Sequence, residues 1–400
     1  MPYKCLDKER RIYVKKGSGE ALRNLARLVF DFDGVLVDLS QSYPEAVSNV
    51  VDYYFLEILG LEGEKGKLTT LGDVQMFKDT GLYNNDWNLC NAIITYYLVL
   101  LTRKLQRKRT LQDFMRRFSN IQFSEVQSFV QVLGEVGGFL SCHGVDASGL
   151  INTKNDEALG LKSFLAQAST ENRGPLEAAR QLVLPQVGSD ELALVEKLVP
   201  YDTEKPDLLR RLFEESCLGK ELFNQFYGVS SAFNFEESFL EKQVFIPCVE
   251  VLSALRRRFG KFAIYSEKSR VQGMYLLERN NLEEYFDKRP SVFLEDIIES
   301  QAWREGADLG KPNPTLFIDL IEKLVGNLSA VAYVGDSAAD ALLVENARMK
   351  DLSNVLFLGV LCSCRYPNRL FSYYAKHGAD AIMTDVNDIP HLLAGLGGEI

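Results

Sequence analysis

The apolar positions of this chain follow two different rhythms. From residue 246 onward, short apolar runs alternate with helical segments, the signature of βαβ units and a parallel sheet. The pattern predicts strands at 262–265, 292–294, 330–334, 355–360 and 381–383, separated by helices at 247–259, 269–279, 314–324 and 338–349. Between residues 40 and 245 the periodicity is helical and strand signal is scarce. In 44–59, for instance, Ala46, Val50, Tyr53, Tyr54 and Ile58 share one face. Further helices are predicted over 70–79, from 86 to 101, and over 124–140, 175–184, 190–199 and 206–218. One apolar, β-branched run precedes this helical region, at 28–30, and reads as a buried parallel strand. Upstream of it, 18–27 predicts a helix, and 4–16, with six basic and two acidic side chains, reads as a solvated N-terminal extension. The fold class that follows is α/β. A doubly wound, Rossmann-like parallel-sheet core is built from 1–39 plus 246–400, with a large all-α domain, 40–245, inserted after its first strand.

Composition narrows the range of function. A formal net charge of −10 argues against nucleic acid or an anionic membrane as a partner. No apolar run is long enough to span a bilayer, and the charged N-terminus lacks the apolar centre of a signal peptide, so a cytoplasmic protein is expected. Seven scattered cysteines do not form a disulfide framework, and Cys362-x-Cys364 is not zinc spacing. Three histidines leave little room for histidine-based metal or triad chemistry.

The candidate chemistry lies at the carboxyl ends of predicted strands, where ligands bind in open α/β sheets. The first strand breaks into Asp31-Phe32-Asp33-Gly34. Residues two apart in an extended chain point the same way, so Asp31 and Asp33 both project from the strand end. Two carboxylates held together call for a cation or a shared proton, whereas a polar turn would ask for nothing. Ser266 ends the second core strand, with Ser269 and Arg270 in the following turn. A hydroxyl beside free amides at a helix start suits an anion such as phosphate, and it equally suits a simple cap. Lys311, in Gly310-Lys311-Pro312-Asn313-Pro314, is a fixed positive charge or an incidental lysine at a helix entry. Gly335-Asp336-Ser337-Ala338-Ala339-Asp340 repeats the opening geometry, with the second acid one helical turn later. Clustered carboxylates without histidine are hard oxygen ligands and favour Mg²⁺ over zinc.

In this order and placement, the four features resemble the four motifs of the haloacid dehalogenase-like hydrolase superfamily. The resemblance covers 28–38 and roughly 247–392, and points to a subfamily I phosphatase with an enlarged helical cap. It implies Asp31 as the nucleophile that forms an aspartyl phosphate and Asp33 as the general acid and then base. Ser266 would hold the phosphate and Lys311 would offset charge. Mg²⁺ would be held by the Asp31 carboxylate, the Asp33 backbone carbonyl and Asp336, with Asp340 in support. Members that cleave carbon–halogen bonds lack an acid at the position of Asp33, because halide needs no proton and an alkoxide does. The expectation is therefore hydrolysis of a phosphate monoester of a small metabolite.

The insert stands where the family carries its cap, which selects substrate, and self-association through it is the expected protein contact. Its segment around Asn84-Asn85-Asp86-Trp87 resembles one found in an archaeal and cyanobacterial subgroup. Asn85 and Asp86 either face the leaving group or cap the next helix. The insert is longer than the usual cap, and 118–223 has no counterpart there. Glu267-Lys268 stands where the family's usual Gly-Arg follows the serine. The rival readings are a phosphomutase of the same superfamily and a partner-binding protein on a vestigial core.

Overall fold

In the computed structural model, the residues described are 2–78, 86–107, 110–120, 125–156, 160–171, 189–199, 208–300, 309–325, 329–362, 364 and 366–397. The chain divides into two compact units, one formed by Met1–Ser40 with Gln243–Ile400 and the other by Gln41–Lys242.

The first unit is built, among the described residues, on nine strands, of which the central parallel ones are apolar and buried on both faces. The nine are β1 (Tyr3–Asp7), β2 (Ile12–Lys15), β3 (Leu25–Phe30), β4 (Val37–Asp38), β5 (Val244–Phe245), β6 (Ala263–Ile264), β7 (Ala330–Gly335), β8 (Val355–Val360) and β9 (Ala381–Met383). Seven of them form one sheet in the order β1-β2-β9-β8-β7-β3-β6, while β4 and β5 form a separate antiparallel ribbon. The pairs from β6 through β9 are all parallel. Counted along the chain, the parallel strands lie in the order second, first, third, fourth, fifth, which is a doubly wound α/β arrangement. Every residue of β8 is buried, as expected for a central parallel strand covered by helices. The core around Val331, Tyr333, Val355 and Phe357 is closed by Phe317, Leu320 and Ile321 from the helix Thr315–Val325 and by Leu343, Val344 and Ala347 from Ala338–Met349.

Three local expectations need correction. The basic N-terminal segment is no solvated extension. It folds as the β1–β2 hairpin and joins the sheet antiparallel to β9, with Tyr13 opposite Ile382 and Val14 opposite Ala381. Its lysines and arginines mask a period-two alternation in which Ile12 and Val14 point inward. The helix expected over 18–27 is only Gly19–Arg23, because Leu25 already pairs with Ala330 as β3 begins. The strand expected over 292–294 is a single bridge from Val292 to Tyr265. Leu294 instead opens the helix Leu294–Ile298, started by the Asp296 carboxylate accepting from the Phe293 N–H at 2.7 Å.

The second unit is helical: Tyr43–Asp52 continuing into the π-helical Tyr53–Ile58, then Leu71–Lys78, Asp86–Arg107, Leu111–Phe118, Val126–Cys142, Ala147–Lys154, Leu161–Glu171, Ser189–Leu198 and Leu208–Tyr227. The segment expected to be helical over 175–184 lies outside the described residues. Along Leu111–Phe118, Leu111, Phe114 and Phe118 are buried while Arg116 and Arg117 are exposed, a solvated basic face. The helix Leu208–Tyr227 is interrupted at Gly219, where φ is +66° and a Cβ would lie 2.8 Å from the Glu237 carbonyl. Just before it, fully buried Glu215 accepts from Arg211 Nε (2.8 Å), Ser231 Oγ (2.7 Å) and the Phe233 N–H (2.7 Å), so its charge is met on all sides.

The hairpin gives the first test. Replacing fully buried Ile12 with alanine should lower stability by about 2 kcal/mol or more, read as a shift in the urea unfolding midpoint. No shift would show that the hairpin adds nothing to the sheet.

Candidate active site

In a sheet of this order, the ligand crevice opens where the connections diverge, between the first and third parallel strands. Here those strands are β3 and β7, and each ends in acids. Asp31 directly follows β3, its N–H still bonded to the Val334 carbonyl at 2.9 Å. Asp336 and Asp340 follow β7. One ligand oxygen from each of Asp31, Asp336 and Asp340 lies within 4.8 Å of the others.

The turn after Asp31 is tight. Phe32 is fully buried against Phe245 and Phe293, and its carbonyl accepts from the N–H groups of Leu36 (2.9 Å) and Val37 (3.1 Å). This anchors Asp31 inside and brings Asp33 to the rim, where its side chain keeps 25% exposure. Gly34 has φ +75°, and a Cβ there would sit 1.9 Å from Asp336 Oδ2, so only glycine lets the two loops meet.

Lys311 ties the cluster together. Its Nζ lies 2.7 Å from Asp31 Oδ2 and 2.8 Å from Asp340 Oδ1, with only 7% of its side chain exposed. Asp340 is fully buried and further satisfied by the Tyr333 hydroxyl (2.9 Å), the Ser337 N–H (3.0 Å) and the Ser337 hydroxyl (2.7 Å). The Ser337–Asp340 contacts form a capping box, so the acid that completes the site also starts the helix Ala338–Met349.

The charges of the site follow from these contacts. Burial pushes Asp31 up to about 7, with Lys311 pulling down and Asp340 pushing up. Burial and the neighbouring Asp340 and Asp31 raise Asp336 well above the usual carboxylate range. Asp340 feels the same burial, but Lys311 and the donors around it outweigh that and hold it low. Burial alone would lower Lys311, and the flanking Asp31 and Asp340 carboxylates hold it up instead.

Ser266 is buried beside Asp31, and its side chain favours the charged form of that carboxyl. The structure thus brings together Asp31, Asp33, Ser266, Lys311, Asp336 and Asp340. Arg270 is used elsewhere. Its guanidinium pairs with Asp296 at 2.5 Å and donates to the carbonyls of Ser291 (3.1 Å) and Lys288 (3.2 Å). The anion site expected at Ser269 and Arg270 is filled from within, because the Glu295 carboxylate accepts from the Ser269 hydroxyl (2.6 Å) and the Arg270 N–H (2.7 Å). In the helical unit, Asp86 is the first residue of its helix and pairs with Lys78 at 2.9 Å, while Trp87 stacks under Arg210 with 4.0 Å to the ring centroid. Asn85 lies outside the described residues. The group that sequence reasoning missed is Lys268. Its Nζ lies 2.8 Å from Asp33 Oδ1, and its side chain is fully buried. Its only sequence-level signal was its departure from the family pattern.

A cluster of oxygen acids, gathered by one lysine, thus sits at the switch point of a doubly wound α/β sheet. The chain belongs to the haloacid dehalogenase-like hydrolase family. That family's model matches residues 146–348, just over half of the 400 residues. The span contains Ser266, Lys311, Asp336 and Asp340, while Asp31 and Asp33 lie upstream of it. Two solved structures are similar. One is an X-ray structure of a target of the Northeast Structural Genomics Consortium, 17% identical with a TM-score of 0.63 and covering 93% of this chain and 99% of that one. At that identity the likeness speaks for the fold alone. The other is a conserved haloacid dehalogenase-like protein of unknown function from Agrobacterium tumefaciens, 14% identical with a TM-score of 0.37 over the same shares. No curated protein matches. No helix among the described residues is long and apolar enough to cross a membrane.

Gly34→Ala tests the close approach. The strained φ and the collision with Asp336 should together cost more than about 1 kcal/mol, measured by thermal unfolding. Wild-type stability in this variant would mean the two loops are free to separate.

Proposed function

We propose that this protein is a Mg²⁺-dependent phosphatase acting on the phosphate monoester of a small metabolite. The observation that carries the reading is the lysine-bridged acid cluster, with Asp31 held inside it and Asp33 at its rim.

The residues fit a hard divalent cation. Three clustered carboxylates (Asp31, Asp336, Asp340) face one ammonium group (Lys311), a formal excess of two negative charges. Among the described residues none donates a hydrogen bond to the Asp336 carboxyl, which burial and its neighbours' charge raise. Asp31 and Asp336 would hold the ion with the Asp33 carbonyl. Asp340, whose oxygens already accept from Lys311, Tyr333 and Ser337, suits a supporting place. When bound, the ion would offset the charge of the phosphoryl oxygens and let an anionic nucleophile approach them.

The remaining steps belong to the chain. Asp31 attacks phosphorus as the ester oxygen departs, forming an aspartyl phosphate, and protonated Asp33 gives its proton to that oxygen. Asp33, now a carboxylate, takes a proton from the water that attacks the phosphoryl group, releasing phosphate and free Asp31. Lys311 offsets negative charge on Asp31 in both steps, and the Ser266 hydroxyl, beside Asp31, holds a phosphoryl oxygen. An acid at position 33 favours an oxygen leaving group over halide, since only the former needs a proton. Substrate choice is assigned to the helical unit 41–242, which is inserted between β4 and β5 immediately after this turn.

Asp31→Asn should lower phosphate release from p-nitrophenyl phosphate by at least about a thousandfold, and chelation should abolish it. Normal turnover in either case contradicts the mechanism.

The acids also couple stability to pH. Asp31 sits at about 7 in the folded protein, above its usual value of 3.8. The cation-free protein is therefore favoured at low pH and loses that stability as pH rises through about 7. Protons and cation compete for the same oxygens, so Mg²⁺ should raise the melting temperature more at pH 8 than at pH 6. Equal shifts at both values would place the ion away from Asp31.

A further inference from the structure

The tripeptide Ser266-Glu267-Lys268, which follows β6, reaches three different members of the site. The Ser266 side chain favours the charged form of the Asp31 carboxyl. Glu267 Oε1 accepts from the Lys311 backbone N–H at 2.5 Å. Lys268 Nζ pairs with Asp33 Oδ1 at 2.8 Å. The first of these contacts belongs to the mechanism above. The third has no place in it.

Lysine is an unfavourable residue to bury. It gives up hydration and the rotamer freedom of a long side chain. A position that needed only filling would take methionine or leucine. The Lys268 side chain is nonetheless fully buried, and its ammonium is fixed from several directions. Asp33 Oδ1 lies at 2.8 Å, Gln243 Oε1 accepts at 3.0 Å, and the Phe32 ring centroid is 5.4 Å away. Phe32 is fully buried and Gln243 nearly so, which makes the frame around the ammonium rigid. Asp33, by contrast, has its side chain 25% exposed at the rim. Unrestrained, a carboxylate there would sample several rotamers, and proton transfer requires hydrogen-bond reach to one particular oxygen.

We propose that Lys268 is a positioning residue for Asp33. By holding Oδ1, it turns the other carboxylate oxygen to the leaving-group oxygen in the first step and to the attacking water in the second. Gln243 is its auxiliary, and it is also the first residue of the segment by which the chain returns from the helical unit. The role rests on the phosphatase reading, because it concerns the proton that an ester oxygen requires.

The test compares two esters of similar shape whose leaving groups differ in their need for a proton, phenyl phosphate and p-nitrophenyl phosphate. Values of kcat/KM report the chemistry up to phosphorylation of Asp31. Lys268→Met, which keeps the volume and removes the charge, should lower kcat/KM for phenyl phosphate about tenfold more than for p-nitrophenyl phosphate, a fraction of the 10²–10⁴ that a general acid supplies. Lys268→Met combined with Asp33→Asn should lose no more than Asp33→Asn alone, and Lys268→Arg should recover part of the split. Gln243→Leu should show the same split in weaker form, and stands in should Lys268→Met fail to fold. Equal losses on both esters, or losses that add to those of Asp33→Asn, overturn the role and leave the phosphatase reading intact. A wild-type protein that releases phosphate from neither ester overturns that reading, and the role of Lys268 with it.

Discussion

The ammonium of Lys311 between Asp31 and Asp340 is the contact on which the rest of the site depends. Taken separately, each group is in an unfavourable place, since a buried carboxylate or lysine loses far more hydration than a single neighbour returns. Together, at 2.7 and 2.8 Å, they form a unit in which removing Lys311 would leave two buried carboxylates with no cation between them. The bridge fixes three separate parts of the sequence at one point: the end of β3, the loop before the helix Thr315–Val325, and the first turn of the helix Ala338–Met349. It does not neutralise the site. Asp336 remains without a donor among the described residues, and that surplus charge is what makes a divalent cation fit.

Topology does the remaining work. Sheet order places β3 beside β7, so two acid-bearing loops distant in sequence face each other across one crevice. Strand β6 on the other side of β3 brings in Ser266, Glu267 and Lys268. The chain leaves this unit and re-enters it through the paired β4 and β5, next to the turn that carries Asp33. A large helical insertion at that point leaves the sheet unbroken, because it begins and ends on neighbouring strands.

Much of this was legible in the sequence. The strands β7, β8 and β9 and the helix Ala338–Met349 follow from apolar runs bounded by polar turns, and the acid positions follow from where those runs stop. The N-terminal hairpin was hidden because its charges outnumber its apolar residues, and only their alternation carried the signal. The run at 292–294 misled for the opposite reason. It is apolar enough for a strand, yet Asp296 captures the Phe293 N–H and turns the chain into a helix. Arg270, in the turn that suited an anion such as a substrate's phosphate, looked available because its partners, Asp296 and two backbone carbonyls, depend on tertiary approach. Lys268 was missed for a similar reason. Its pairing with Asp33 joins residues far apart in the chain, and no local pattern distinguishes a buried lysine from a solvated one.

The central claim is that Asp31 becomes covalently phosphorylated during turnover, and trapping that species tests it most directly. Protein quenched during hydrolysis of p-nitrophenyl phosphate and reduced with borohydride should carry homoserine at position 31, located by peptide mass analysis. Turnover that leaves Asp31 unmodified, or places the modification on another residue, would contradict the account.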